Sequence, residues 1–232
     1  MKKVKAFLRN FILTKYPYMF LFQLRHGFRD VRHRAKLRKQ LQQNGEKTIR
    51  AIQGMLEKTG AFFFFDMGTL LGIIREGRLL RHDMDIDVAV FFEDSTQKEQ
   101  LKQNLLAQGC TLRSSYYVPE LGAVEDSFVC NNIKFDINYF TEVDGSDICY
   151  LMYSDPENPL PDGQLRVVSL KTPHISELKK INFGGCMINV PKDPEAYLAA
   201  RYGENWRIPD KGYIYWKGPS TSPTDYIGTA SH

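Results

Sequence analysis

The sequence predicts an α/β (α+β) fold, a mixed sheet flanked by helices with a basic helical N-terminal leader. Three observations predict it. Helix-like and strand-like stretches alternate from residue 46 onward. A set of hairpin signals follows in the second half. Between them, Asp85-Ile86-Asp87 runs into Val88-Ala89-Val90 with the two-residue period of a strand.

Length and composition set the bounds. A chain of 232 residues, 43% hydrophobic and 25% charged, fits one globular domain with decorations and a sizeable core. Net charge is only +4, yet residues 1–39 hold twelve Lys/Arg against the single acid Asp30. The rest of the chain is therefore acidic, which argues against a nucleic-acid-binding domain; the leader suits an anionic surface or polymer. Cys110, Cys130, Cys149 and Cys186 follow no metal-type spacing and read as reduced thiols of a cytoplasmic protein. No stretch resembles a cleavable signal peptide. The apolar run from Phe7 to Leu24 is interrupted by Arg9, Asn10, Lys15 and Pro17, short of the roughly 20 clean apolar residues of a span. The expected organisation is a leader over 1–44, a catalytic domain over 45–217 and a flexible tail over 218–232.

Residues 2–24 mix Lys/Arg with aromatic and aliphatic side chains, the composition of an interfacial membrane segment; a terminal helical pair packed on the body is the alternative. On the first reading residues 1–40 contact the inner membrane face; on the second they pack on the body or on a second subunit. Residues 25–43 are basic and helix-forming. Ile49, Ile52, Met55 and Leu56 recur at helical spacing, and Gly60 suits a stop. Ala61–Phe65 reads as a short strand, Thr69–Glu76 as a helix stopped at Gly77, and Met84–Phe92 as a strand. Thr96–Gln108 is an amphipathic helix capped by Asp94-Ser95 and ended at Gly109. Strands follow at Cys110–Val118, Glu125–Cys130 and Ile133–Phe140, the last two joined by Asn131-Asn132. Asp144-Gly145 turns into Ile148–Tyr153, and 154–163 is a turn-rich loop. Leu165–Leu170 and Leu178–Val190 read as edge hairpins, the second turning at Gly184-Gly185. Asp193-Pro194 opens a helix reaching Tyr202-Gly203. Residues 218–232, rich in Gly, Ser, Thr and Pro, read as mobile.

The chemistry concentrates in 66–90. Asp85 and Asp87 project side by side from one strand face, about 6–7 Å apart. Two such carboxylates repel unless a cation sits between them, and an oxygen-only set with room for phosphate suits Mg²⁺, with Mn²⁺ as the alternative. Asp83 precedes the pair. Gly68-Thr69 at a helix start offers backbone N–H groups and a hydroxyl to a phosphate. Arg75 is the first choice for a diphosphate contact. Arg81 is a possible further contact or a surface charge, and His82 a possible base or a structural histidine. Asp136, inside the apolar Ile133–Phe140, needs a ligand or a partner. Beside Asp85 and Asp87 it would ligate metal or act as general base; a salt bridge to Lys or Arg is the alternative.

Gly68-Thr69-Leu70-Leu71-Gly72, Arg75 and Asp83-Met84-Asp85-Ile86-Asp87 resemble the LicD family of phosphocholine transferases, the group that includes fukutin and fukutin-related protein. The resemblance extends to Phe135-Asp136-Ile137, and to Val190-Pro191, Tyr197-Leu198, Tyr202-Gly203, Trp206 and Pro209. It covers about residues 46–210, and stops short of the leader. It implies a nucleotidyltransferase-type fold and transfer of a phospho-alcohol, such as phosphocholine or ribitol phosphate. The donor would be CDP-linked and the acceptor a sugar hydroxyl of a cell-surface glycan. By the same resemblance, Asp85 and Asp87 match the metal pair, Asp136 the later carboxylate, and Gly68-Thr69 the donor-phosphate turn. The chain departs from the pattern at Arg81-His82, where Pro-Trp is common. Two other readings are a DxD glycosyltransferase using an NDP-sugar, and a non-catalytic membrane-associated partner of a glycan enzyme.

Overall fold

The computed structural model describes residues 17–92, 94–155 and 157–231, with side chains from residue 31 onward. The apolar residues Phe7, Leu8, Phe11, Ile12 and Leu13 of the expected membrane segment lie outside the described residues. The first element is one helix, α1 (Pro17–Glu57), of 41 residues. It runs straight through the boundary expected at 44/45. Gln40–Gln43 and Glu46 are good helix formers, and Gly45, a poor one, makes room for the Leu79 side chain, which a Cβ there would meet. Its C-terminal half buries Leu41, Ile49, Ile52 and Leu56, whereas residues 31–36 are exposed. No described helix is long and apolar enough to cross a membrane.

The chain then follows the expected alternation. β1 (Phe62–Phe65) leads into α2 (Met67–Glu76), which Gly77 stops in the left-handed conformation at φ 66°. β2 (Asp85–Phe91) precedes α3 (Ser95–Ala107), whose N-cap Asp94 accepts the Gln97 N–H. Next are β3 (Thr111–Val118), β4 (Gly122–Cys130), β5 (Ile133–Val143), β6 (Ser146–Tyr153) and β7 (Gln164–Pro173). The hairpin turns read from sequence are real: Asn131-Asn132, Asp144-Gly145 and Gly184-Gly185 all have positive φ. β8 (Leu178–Phe183) and β9 (Cys186–Pro191) form a separate two-stranded sheet. α4 (Pro194–Tyr202) carries Asp193 as N-cap, and a 3₁₀ turn at Tyr215–Lys217 leads to β10 (Thr221–Ser231).

The main sheet has the order β1-β2-β5-β4-β3-β10-β7-β6, and β6 also pairs with the end of β5. Strands β5, β4, β3, β10, β7 and β6 therefore close into a ring, with β2 and β1 as an outer extension. The β2–β5 pairing is parallel and the other described pairings are antiparallel, so the sheet is mixed as expected. The main core packs α1, α2, α3 and α4 against it through Phe63, Phe64, Ile86, Val88, Phe135 and Ile137.

Two expectations are corrected here. Residues 221–231 are not a loose tail but an inner strand, bonded to β3 on one side and β7 on the other. And β7 is no edge hairpin, because β10 and β6 flank it. β10 approaches its neighbours closely: a Cβ on Gly228 would lie 2.6 Å from the Met152 sulfur and 3.1 Å from the Tyr117 carbonyl oxygen. Gly228→Val should therefore destabilise by about 1–3 kcal/mol in urea unfolding. Adding Met152→Ala should recover part of that loss, since the clash is with its side chain.

Candidate active site

The start of α2 grips β2 by its backbone. After β1, Met67 takes a positive φ of 50°, turning the chain sharply into the helix. The Asp66 N–H donates to the Asp87 carbonyl at 3.0 Å, and the Asp87 N–H donates to Thr69 Oγ1 at 3.0 Å. Thr69 is fully buried. The structure thus gives Thr69 a bracing role at the α2 turn. Gly68 also has a job unforeseen in sequence: a Cβ there would lie 2.7 Å from Asp83 Oδ2. Glycine lets the Asp83 carboxylate reach the N-terminal end of α2, where exposed N–H groups favour an anion.

The parallel pairing supplies the third carboxylate. Its register sets Asp85 opposite Lys134 and Asp87 opposite Asp136. Asp136 is buried and accepts from Ser127 Oγ at 2.5 Å. Lys134 Nζ lies 2.6 Å from Asp136 Oδ2 and 3.0 Å from Asp85 Oδ2. The salt bridge weighed as the alternative for Asp136 therefore exists, and it is made inside the carboxylate cluster.

Charge crowding shows in the acidities. Burial, then Asp85, Asp136 and Asp83, push the Asp87 carboxyl well above its usual range, with Lys134 opposing. Burial raises Asp136, against the pull of Lys134. Asp83 is pushed up to about 7 by burial and by Asp85, while Arg75 opposes. Lys134 is half-buried, yet Asp136 and Asp85 raise its affinity for its proton. Asp85, Asp87 and Asp136 thus share one close ammonium, while the cation acting on Asp83 is Arg75.

The remaining candidates spread out. Arg75 Nη1 donates to the Trp206 carbonyl at 3.3 Å and Nη2 to Glu76 Oε1 at 3.1 Å, so much of its guanidinium is already engaged. His82 is largely exposed, with Nε2 3.6 Å from Asp83 Oδ1. Arg81 is exposed at the surface turn. Two residues were missed in sequence. One is Lys134, alternating with Asp136 on β5. The other is Glu125, alternating with Ser127 on β4 and so on the face that carries Asp136. Burial and Asp136 push Glu125 up to about 8. Tyr116 stands opposite it on β3, and the alternation Glu125-Asp126-Ser127 between Val124 and Phe128 was the available signal.

As these side chains stand, no three His, Cys, Asp or Glu groups among the described residues converge closely enough to hold a metal. The chemistry of the set still fits a divalent cation. It is oxygen-only, carries surplus negative charge, and already draws a cation, the Lys134 ammonium, between Asp85 and Asp136.

The Thr69 brace can be tested directly. Thr69→Ala leaves the Asp87 N–H without its acceptor and should cost about 1–3 kcal/mol in urea unfolding. Thr69→Ser keeps the oxygen and should cost only the buried methyl, ~1 kcal/mol.

The sequence profile of "LicD/FKTN/FKRP, nucleotidyltransferase domain" matches residues 60–193, the span from β1 to the N-cap of α4. Similar curated proteins include "Ribitol-5-phosphate transferase FKTN" of Macaca fascicularis and of Homo sapiens. Each is 24% identical over 172 residues, covering 71% of this chain and 33% of the relative. "Ribitol 5-phosphate transferase FKRP" of Homo sapiens is 36% identical over 56 residues, 24% of this chain and 11% of the relative. The chain thus spans about a third of the length of the FKTN relatives. Among solved structures, ANT(2")-Ia in complex with adenylyl-2"-tobramycin aligns at a TM-score of 0.41 and 13% identity, over 67% of this chain and 72% of that one. With the matched profile covering β1, the α2 turn, the Asp85-Asp87 strand and Asp136, the chain belongs to the LicD/FKTN/FKRP family of nucleotidyltransferase domains.

Proposed function

We propose that this chain is a metal-dependent phosphotransferase that moves a phospho-alcohol from a CDP-linked donor to a sugar hydroxyl of a glycan. The observation that carries the reading is the parallel register that sets Asp87 beside Asp136 and Asp85 beside Lys134, next to the α2 N-terminus. The names of the relatives, ribitol-phosphate transferases, agree with a phospho-alcohol as the group moved. Asp85 and Asp87 would hold Mg²⁺ or Mn²⁺, and Asp136 beside them on β5 is left to take a proton. When bound, the ion would neutralise diphosphate charge and polarise the phosphoryl oxygens.

The chain's own residues do the rest. Lys134 offers a half-buried ammonium to a phosphate oxygen once it leaves Asp85 and Asp136. The acceptor hydroxyl oxygen attacks the phosphorus nearest the alcohol, the bond from that phosphorus to the CMP oxygen breaks, and CMP departs. The hydroxyl proton passes to Asp136, whose raised affinity for a proton suits a general base. Glu125, one alternation along the same face from Ser127, orients the acceptor. Asp85→Ala and Asp87→Ala should abolish transfer from a CDP-alcohol panel, read by mass spectrometry of the product. Asp136→Asn should lower it by on the order of 10²- to 10⁴-fold. Glu125→Gln should raise the acceptor KM roughly tenfold with kcat nearly unchanged. Full activity in both alanine variants overturns the reading.

The leader fits a surface role at the same end of the molecule. Arg38 Nε donates to the His82 carbonyl at 3.2 Å and Gln42 Nε2 to the Leu80 carbonyl at 3.0 Å, so α1 leaves the body beside the Asp83 loop. Arg32, Arg34, Lys36 and Lys39 lie exposed on that stretch. It would hold the site at an anionic membrane, peripheral to the cytoplasmic face. Deleting residues 1–40 should release the protein from anionic liposomes and spare turnover on a soluble acceptor. Equal liposome binding by both forms refutes the anchoring.

A further inference from the structure

At the end of the sheet opposite the carboxylates lies a cavity that the proposed reaction does not use. It measures about 560 Å³ and lies between the start of β1, the ends of β2 and β5, α3 and the segment after β7. That volume is in the range of small-molecule sites, roughly 300–1,000 Å³. Phe91 is four residues beyond Asp87 on β2, about 13 Å along the strand.

The walls are of two kinds. One is aromatic: Phe62, Phe91, Phe92 and Phe140 line the cavity. Phe62 meets Phe91 edge-on at 5.3 Å, and Phe91 stacks on Phe140 at 5.4 Å. The other is polar. Gln100 and Asn104 are one helical turn apart on α3, so both amides face one way. Across from them stand Glu142 and His174.

His174 is held by a buried group. Asp147 is fully buried, with Oδ1 2.9 Å from His174 Nδ1, and Oδ2 accepting the Ile175 N–H at 2.7 Å. Both carboxylate oxygens are thus spent on fixing this wall. The imidazole is oriented through Nδ1, which leaves Nε2 for a ligand.

The charge pattern narrows the ligand. Among the described residues no Lys or Arg lines the cavity, and a carboxylate, Glu142, shares the wall with the imidazole. That is a poor seat for a phosphate or a nucleotide. A purely apolar ligand would leave two amides, a carboxylate and an imidazole unpaired. A neutral sugar satisfies both walls. Its C–H face lies on aromatic rings, and its hydroxyls both donate to and accept from amide groups.

We propose that this cavity is a binding site for neutral saccharide rings, and that it holds a unit of the acceptor glycan remote from the reacting hydroxyl. The second half of the proposal rests on the glycan-acceptor reading above; the first half does not. A glycan gripped here stays tethered, which raises its effective concentration at the carboxylates.

The test is direct binding by the full chain, without donor or metal. Lactose, cellobiose and N-acetyllactosamine are titrated and read by ¹H–¹⁵N chemical shifts, with CMP and inorganic phosphate as controls. At least one disaccharide should bind saturably, shifting the amides of Gln100, Asn104 and the 174–176 segment. The variant Gln100→Ala/Asn104→Ala, both at exposed helix positions, should weaken that binding roughly tenfold or more. Asp85→Ala should bind the sugar as wild type does, so loss of turnover and loss of sugar binding are read separately. No saturable disaccharide binding, binding unchanged by the double variant, or shifts at the cavity with CMP or phosphate alone would overturn the proposal.

Discussion

Strands β2 and β5 run parallel in a register that sets Asp87 beside Asp136, and the repulsion this creates is what the surrounding structure has to hold down. Buried carboxylates this close favour either protonation or separation. Separation is blocked because the backbone on both sides of Asp87 is tied to α2 through Asp66 and Thr69. Asp136 is tied in turn by Ser127 and Lys134. The result is a rigid frame that stays short of positive charge until something cationic arrives.

That frame stands on a second buried charge. Asp66 is the N-cap residue of α2, yet its side chain caps nothing. It faces Arg201 of α4 instead, with Oδ2 3.8 Å from Nη1 and both side chains almost wholly buried. A buried pair of this kind stabilises little, but losing one partner strands the other. Tyr197, one helical turn earlier on α4, packs edge-on against Phe64 at 5.4 Å, and the Trp206 carbonyl receives Arg75. The late Tyr197, Tyr202 and Trp206 motif, at first sight remote from the chemistry, is thus the floor under the α2 turn.

Much of this was legible in sequence, for a physical reason. The alternation Asp85-Ile86-Asp87, the caps at Asp94 and Asp193, and the Asn131-Asn132 turn are local features, and local sterics and burial dictate them. The roles of Lys134 and Glu125 depend on which strand lies beside which, and that pairing is non-local. The Thr69 brace was not legible because its burial follows from the α2–β2 packing, not from its neighbours in sequence. β10 escaped for another reason. Of its residues 221–231 only Gly228 is buried, so the strand is held by backbone bonds to β3 and β7 and shows no apolar period.

The position of β10 in the ring has a consequence for how the chain assembles. Strands β1 to β5, with the carboxylates, draw only on residues 62–143, and their longest reach is the β2–β5 pairing that joins Asp87 to Asp136. The ring closes only when 221–231 slide between β3, made about a hundred residues earlier, and β7. Contacts of such long range form slowly. Until they form, β3 and β7 each present a bare edge to any other strand. A nascent chain would thus hold its charged centre early and its vulnerable seam late, and the race between β10 and a neighbouring molecule would decide how much of it reaches the native state.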